Sequence, residues 1–118
     1  MMRTINLAVF FAYGALLAYL SLQQPDELVI SAPDKISHLL AYGGFAFLGY
    51  RLETTRAVFW AICIGVVAYS GLLEYAQSFV PGRMMSFLDM VANAMGVLLA
   101  ALACEVFFGH LPGGSTND

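Results

Sequence analysis

Four apolar runs, separated by short polar stretches, order this chain. The first covers Ile5 to Leu22, inside an uncharged stretch that extends from Thr4 to Pro25. The second begins near Ile36 and ends near Tyr50. The third runs from Ala57 to Val80, broken only by Glu74 and Gln77, and Pro81-Gly82-Arg83 ends it, because Pro and Gly punctuate helices strongly. The fourth runs from Phe87 to about Phe108. A helix needs about 20 apolar residues to cross a bilayer, so the pattern predicts an all-α fold: a polytopic membrane bundle of four transmembrane helices. The second run is the weak one. Only 15 residues separate Lys35 from Arg51, so its flanks must sit at headgroup depth or the bilayer must thin. A secretory signal peptide is the rival reading of the first run, with Arg3 as its basic flank. That run exceeds a typical signal core of roughly 7–15 residues and lacks a small-x-small cleavage site, so a retained span is expected.

The loops fix the domain layout and a direction. Gln23 to Lys35 and Arg51 to Arg56 are polar, and the Gly/Ser/Asn-rich 111–118 reads as a disordered tail behind a single domain, 1–110. With both termini inside, Arg3, Arg51 and Arg56 flank the cytoplasmic ends, against Lys35 and Arg83 outside. The positive-inside rule therefore favours N-in/C-in, by a thin margin. Small residues recur every fourth position in two stripes, Ala57-Ala61-Gly65 and Ala92-Gly96-Ala100, a spacing that lets membrane helices approach closely. Packing within the bundle is the expected role of both.

Composition agrees with a membrane protein. Of 118 residues, 60% are hydrophobic and only 11% charged, with a mean hydropathy of +0.76. So few charges cannot cover a soluble globule of this size, and disorder needs the opposite composition. A net charge of −3 is no footprint for nucleic acid. Cys63 and Cys104 lie in apolar runs and read as small buried hydrophobes.

The informative positions are polar ones that a bilayer should exclude: Asp34, Lys35, His38, Tyr42, Glu74, Gln77, Arg83, Ser86, Asp89 and Asn93. In the expected topology all ten lie toward one membrane face. Glu74 sits roughly 9 Å in from Val80, at about 1.5 Å per residue. Asp34, His38 and Tyr42 are four apart, as are Asp89 and Asn93, so each set shares a helical face. Bland alternatives stand beside this reading. Ser31-Ala-Pro-Asp34 and Ser86-Phe-Leu-Asp89 fit capping boxes. Lys35 can snorkel to headgroups, Arg83 can pair with Glu74 or a lipid phosphate, and Tyr42 fits an aromatic belt. Glu74 resists a bland reading best, since an acid within the membrane costs roughly 2.5–3.5 kcal/mol on insertion scales. A structural polar latch is its alternative. The opposite face offers only Glu105 within its helices.

Taken together, Asp34-Lys35-x-x-His38-x-x-x-Tyr42 and Glu74-x-x-Gln77-x-x-x-Pro81-x-Arg83-x-x-Ser86-x-x-Asp89-x-x-x-Asn93-x-x-Gly96 resemble the VanZ-like family, over roughly Pro33 to Ala100. The resemblance implies a multi-pass protein of the bacterial inner (cytoplasmic) membrane with an envelope-linked role. The family takes its name from a protein that raises resistance to the glycopeptide teicoplanin without remodelling cell-wall precursors. It implies no particular reaction.

Three functions compete on these residues. The first is binding of an anionic lipid, or a lipid-linked envelope precursor, at the outer face: Lys35 and Arg83 would engage phosphate, and Asp34, His38, Tyr42, Glu74, Gln77, Ser86, Asp89 and Asn93 would complete the site. The second is an intramembrane hydrolase or transferase acting on such a lipid, with His38, Glu74 and Asp89 as catalytic candidates. The third is a small structural subunit that packs through its Ala/Gly stripes. His38, Glu74 and Asp89 are also suitable metal-ligand types, but in no recognised spacing, so neither metal nor cofactor is assigned from sequence.

Overall fold

Each apolar run becomes a helix because a backbone in lipid must satisfy its own hydrogen bonds. The computed structural model describes residues 2–22, 34–81 and 87–109, with the side chains of Asp34 and Lys35 excepted. It contains α1 (Met2–Ser21), α2 (Asp34–Tyr50), α3 (Arg56–Gln77) and α4 (Phe87–Phe107). The fold is all-α. Helices α1, α3 and α4 are long and apolar enough to cross a membrane. At 17 residues, α2 is the short element, as the close approach of Lys35 and Arg51 requires. The expected tail, 111–118, lies outside the described residues, as does the loop from Gln23 to Pro33.

The bundle is apolar outside and carries its polar groups inside. Phe11, Leu40, Ile64, Leu72, Phe79 and Val106 are exposed, while Ser70, Glu74, Gln77 and Asn93 are buried. On α3 the inward residues are Phe59, Cys63, Val66, Ser70, Leu73, Glu74 and Gln77, spaced three and four apart as one helical stripe must be. Their polar members therefore sit on the core face, not toward lipid. Asn93 lies likewise on the inward stripe of α4, with Gly96, Val97, Ala101 and Cys104.

Helix α2 packs against all three other helices and most extensively against α4. Glycine makes that approach possible. A Cβ on Gly96 would lie 2.2 Å from the Leu39 carbonyl oxygen, and one on Gly43 would lie 3.3 Å from the Gly96 oxygen. The Ala92-Gly96-Ala100 stripe thus packs as expected. The Ala57-Ala61-Gly65 stripe does not: all three residues are exposed, and nothing lies within 4 Å of a Cβ built on Gly65. The spacing is the same, but α3 turns its other face, with Phe59, Cys63 and Val66, to the core.

Two tyrosines tie α1 to its neighbours through backbone carbonyls, Tyr13 to Ala41 at 2.5 Å and Tyr69 to Gly14 at 2.7 Å. Between α2 and α3 the chain turns through Glu53, whose φ of 58° is left-handed. Thr55 then caps α3, its hydroxyl accepting from the Val58 amide at 3.2 Å. Helix α3 ends at Gln77 and not at Val80. Residues 78–81 follow as turns, with the Ser78, Phe79 and Val80 amides each bonded three residues back.

Candidate functional site

Three helices contribute to one polar cluster. The first turns of α2 and α4 and the last turns of α3 lie at the same end of the bundle, since helices consecutive in the chain alternate in direction. There His38 Nδ1 stands 2.8 Å from Asn93 Oδ1. An amide oxygen only accepts, so in this contact Nδ1 is the donor and Nε2 faces the other way. On that side Nε2 lies 3.8 Å from Asp89 Oδ2. Glu74, only 2% exposed, completes the group: single ligand atoms of His38, Glu74 and Asp89 all lie within 4.8 Å of one another.

The local reasons are legible. Asp89 occupies the first turn of α4, where a carboxylate favours the helix dipole, and α4 then places Asn93 one turn deeper. Side-chain exposure is 21% for His38 and 14% for Asp89. The cluster therefore runs from a partly open His38–Asp89 pair to the closed Glu74.

The remaining expected residues fall around this centre or beyond the described region. Tyr42 is 3% exposed, which removes the aromatic-belt alternative; its electrostatic neighbours are Tyr69, Glu74 and Tyr13. Gln77 donates from Nε2 to the Ser21 carbonyl at 2.8 Å, tying α3 to the end of α1. Asp34 and Lys35 begin α2, but their side chains are not among those described. Arg83 and Ser86 lie outside the described residues.

One buried polar residue escapes the sequence reading. Ser70 is 2% exposed and bonds back to the Val67 carbonyl at 2.7 Å. It precedes Glu74 by four residues, so its position on the same helical face was the available signal. The opposite end also holds more than its sequence suggests. Glu105 meets Arg56 at 3.1 Å and accepts from the Trp60 indole at 3.2 Å. Arg3 and Asn6 of α1 donate to the carbonyls of Leu52 and Arg51 at 3.1 and 2.9 Å, and the Tyr50 hydroxyl donates to Gly109. All the described arginine side chains, Arg3, Arg51 and Arg56, are at this end. These contacts cross-link helix termini, so they read as fasteners.

A groove of about 490 Å³ lies between α1 and α3, lined by Phe10, Gly14, Phe45, Ile62, Gly65, Val66 and Tyr69 among others. Its lining is nearly all apolar. Tyr69 lines the groove and neighbours Tyr42, which flanks the cluster.

In comparison with known proteins, the VanZ/LLP1 family model matches residues 2–108. The chain belongs to the VanZ/LLP1 family. No curated protein and no solved structure matches it. As a VanZ-like membrane protein it carries the motif that suggested the family. Of that motif, the described side chains of His38, Glu74, Asp89 and Asn93 form the cluster itself, while Tyr42 and Gln77 flank it.

Proposed function

We infer that this VanZ-like protein spans the bacterial inner membrane four times, N-in/C-in, and binds an anionic lipid or lipid-linked envelope glycan at its outer face. One observation carries the reading: in a chain with 11% charged residues, buried and half-buried His38, Glu74, Asp89 and Asn93 converge from three helices. Intramembrane ionisable groups are expensive and mark ligand or proton pathways by default. The partly open His38–Asp89 pair gives a head group its entry, and Asn93 and Gln77 supply hydrogen-bonding amides. Lys35, at the start of α2, and Arg83 are the phosphate partners that this reading assigns. The apolar groove between α1 and α3 suits the acyl tail of the same molecule. Binding of a lipid-linked precursor is also a route by which the protein would alter teicoplanin access without chemistry.

The four-span topology is supported by the gathering of Arg3, Arg51 and Arg56 at one end of the bundle. Helix α2, about 26 Å long at roughly 1.5 Å per residue, falls short of a hydrocarbon core of about 30 Å. Three neighbouring helices hold it in place. An enzymatic second reading rests on one geometric point. His38, Glu74 and Asp89, side chains able to take up or give a proton, each bring an atom to within 4.8 Å of the others, close enough to act together on a bound lipid.

The test is identification of lipid co-purified with the protein by native mass spectrometry. The reading expects a retained phosphate-bearing lipid, chemically intact if the protein only binds and converted with time if it also catalyses. A preparation that retains only zwitterionic bulk lipid contradicts it.

A further inference from the structure

His38 on α2, Glu74 on α3 and Asp89 on α4 share more than proximity. Each directs a metal-ligating atom into one small volume, all within 4.8 Å of one another. The His38 Nε2 to Asp89 Oδ2 distance of 3.8 Å is too long for a hydrogen bond. It is close to the spacing of two donors on one ion, since ligands at about 2.0–2.2 Å from a tetrahedral centre stand roughly 3.3–3.6 Å apart.

The surroundings match a metal site in a second, independent respect. A metal-bound histidine donates its other ring N–H to an acceptor, which fixes tautomer and ring orientation. His38 has that partner: Asn93 Oδ1, at 2.8 Å from Nδ1. Asn93 is itself only 1% exposed, so the orienting contact is built into the core of α4.

We propose that His38, Glu74 and Asp89 bind one divalent transition-metal ion of the Zn²⁺ or Mn²⁺ class, with Asn93 positioning the imidazole. One imidazole with two carboxylates suits these ions better than the all-oxygen sets preferred by Ca²⁺ and Mg²⁺. Three protein ligands leave an open position on a four-coordinate ion, and a phosphate oxygen of the head group fills it. The bridging step rests on the lipid reading given above; the ion itself does not.

Both parts are tested on the full chain purified in detergent through a tag without histidines. After loading with Zn²⁺ and desalting, elemental mass spectrometry is expected to find one equivalent per chain. His38→Ala, Glu74→Gln and Asp89→Asn should each abolish it, and Asn93→Ala should weaken affinity about 10–100-fold. Wild-type protein without stoichiometric metal, or variants that elute as wild type and still hold it, would overturn the site. If a variant fails to fold, the wild type still decides: bound Mn²⁺ should show nitrogen coupling from imidazole in pulsed electron paramagnetic resonance, and absence of coupling counts against the site. Flotation with phosphatidylglycerol vesicles, with and without a chelator, then tests the bridge. Capture that disappears on chelation supports it, and capture indifferent to chelation overturns it. Bound metal with no capture at all removes the lipid reading and leaves the ion standing.

Discussion

At Glu74 burial and polarity oppose each other most sharply, since a carboxylic acid only 2% exposed sits in a mostly apolar helix. The sequence marked it, with Gln77, His38, Asp89 and Asn93, because each breaks an apolar run with a group that hydrocarbon penalises. It did not mark Ser70, because a serine in a membrane helix satisfies itself on its own backbone, here on Val67. Nor did it reveal the Glu105–Arg56–Trp60 fastener, whose partners lie some 45 residues apart and meet only once α3 and α4 pack. Gln77 gives a prediction at this scale. Its bond to the Ser21 carbonyl is a single buried hydrogen bond, worth about 0.5–1.5 kcal/mol net. Gln77→Leu should lower the thermal midpoint in detergent by a corresponding few degrees, and an unchanged midpoint would show that this bond adds nothing to the hold on α1.

Helix number and order were readable from hydropathy, but helix ends and facing were not. The apolar run continues to Val80, yet α3 stops at Gln77, because residues 78–80 turn ahead of Pro81. Two stripes of identical spacing had opposite fates, because which face meets a neighbour depends on the whole bundle. Gly96 tests the packed stripe. With no room for a Cβ beside the Leu39 backbone, Gly96→Ala must push α2 and α4 apart, at about 1–3 kcal/mol for overpacking. Gly65→Ala, where space is open, should leave stability unchanged or slightly raise it through helix propensity. Equal midpoints for the two variants would contradict the α2–α4 contact. Glu53 should respond in the opposite direction. A left-handed φ costs a non-glycine residue roughly 1–2 kcal/mol, offset in part by glycine's greater chain entropy. Glu53→Gly is therefore expected to raise the unfolding midpoint, and a lower midpoint would mean that the glutamate side chain holds the turn.

Across the whole molecule the pattern is inverted relative to a soluble domain: apolar residues outside, polar ones gathered within and toward the two ends. The family motif was legible because its residues are polar where lipid forbids it. Its spatial meaning, three helices meeting at His38, Glu74 and Asp89, was legible only as shared depth and helical face, since loop conformations decide which helices adjoin. The proposed orientation is tested with Thr54→Cys and Ser78→Cys, each in a background lacking Cys63 and Cys104. In intact spheroplasts an impermeant thiol reagent should modify the Ser78 site and spare the Thr54 site, and the reverse labelling would invert the topology. The central claim, that the polar cluster holds a lipid head group, is tested most directly at Glu74. Glu74→Gln keeps the shape and hydrogen-bonding capacity of the side chain and removes its charge. Wild type and variant are compared for monodisperse yield in detergent and for capture of phosphatidylglycerol vesicles. The account predicts equal yield with capture reduced at least about tenfold, equivalent to roughly 1.4 kcal/mol. A variant that matches wild type in both yield and capture would contradict it and leave Glu74 as an internal latch.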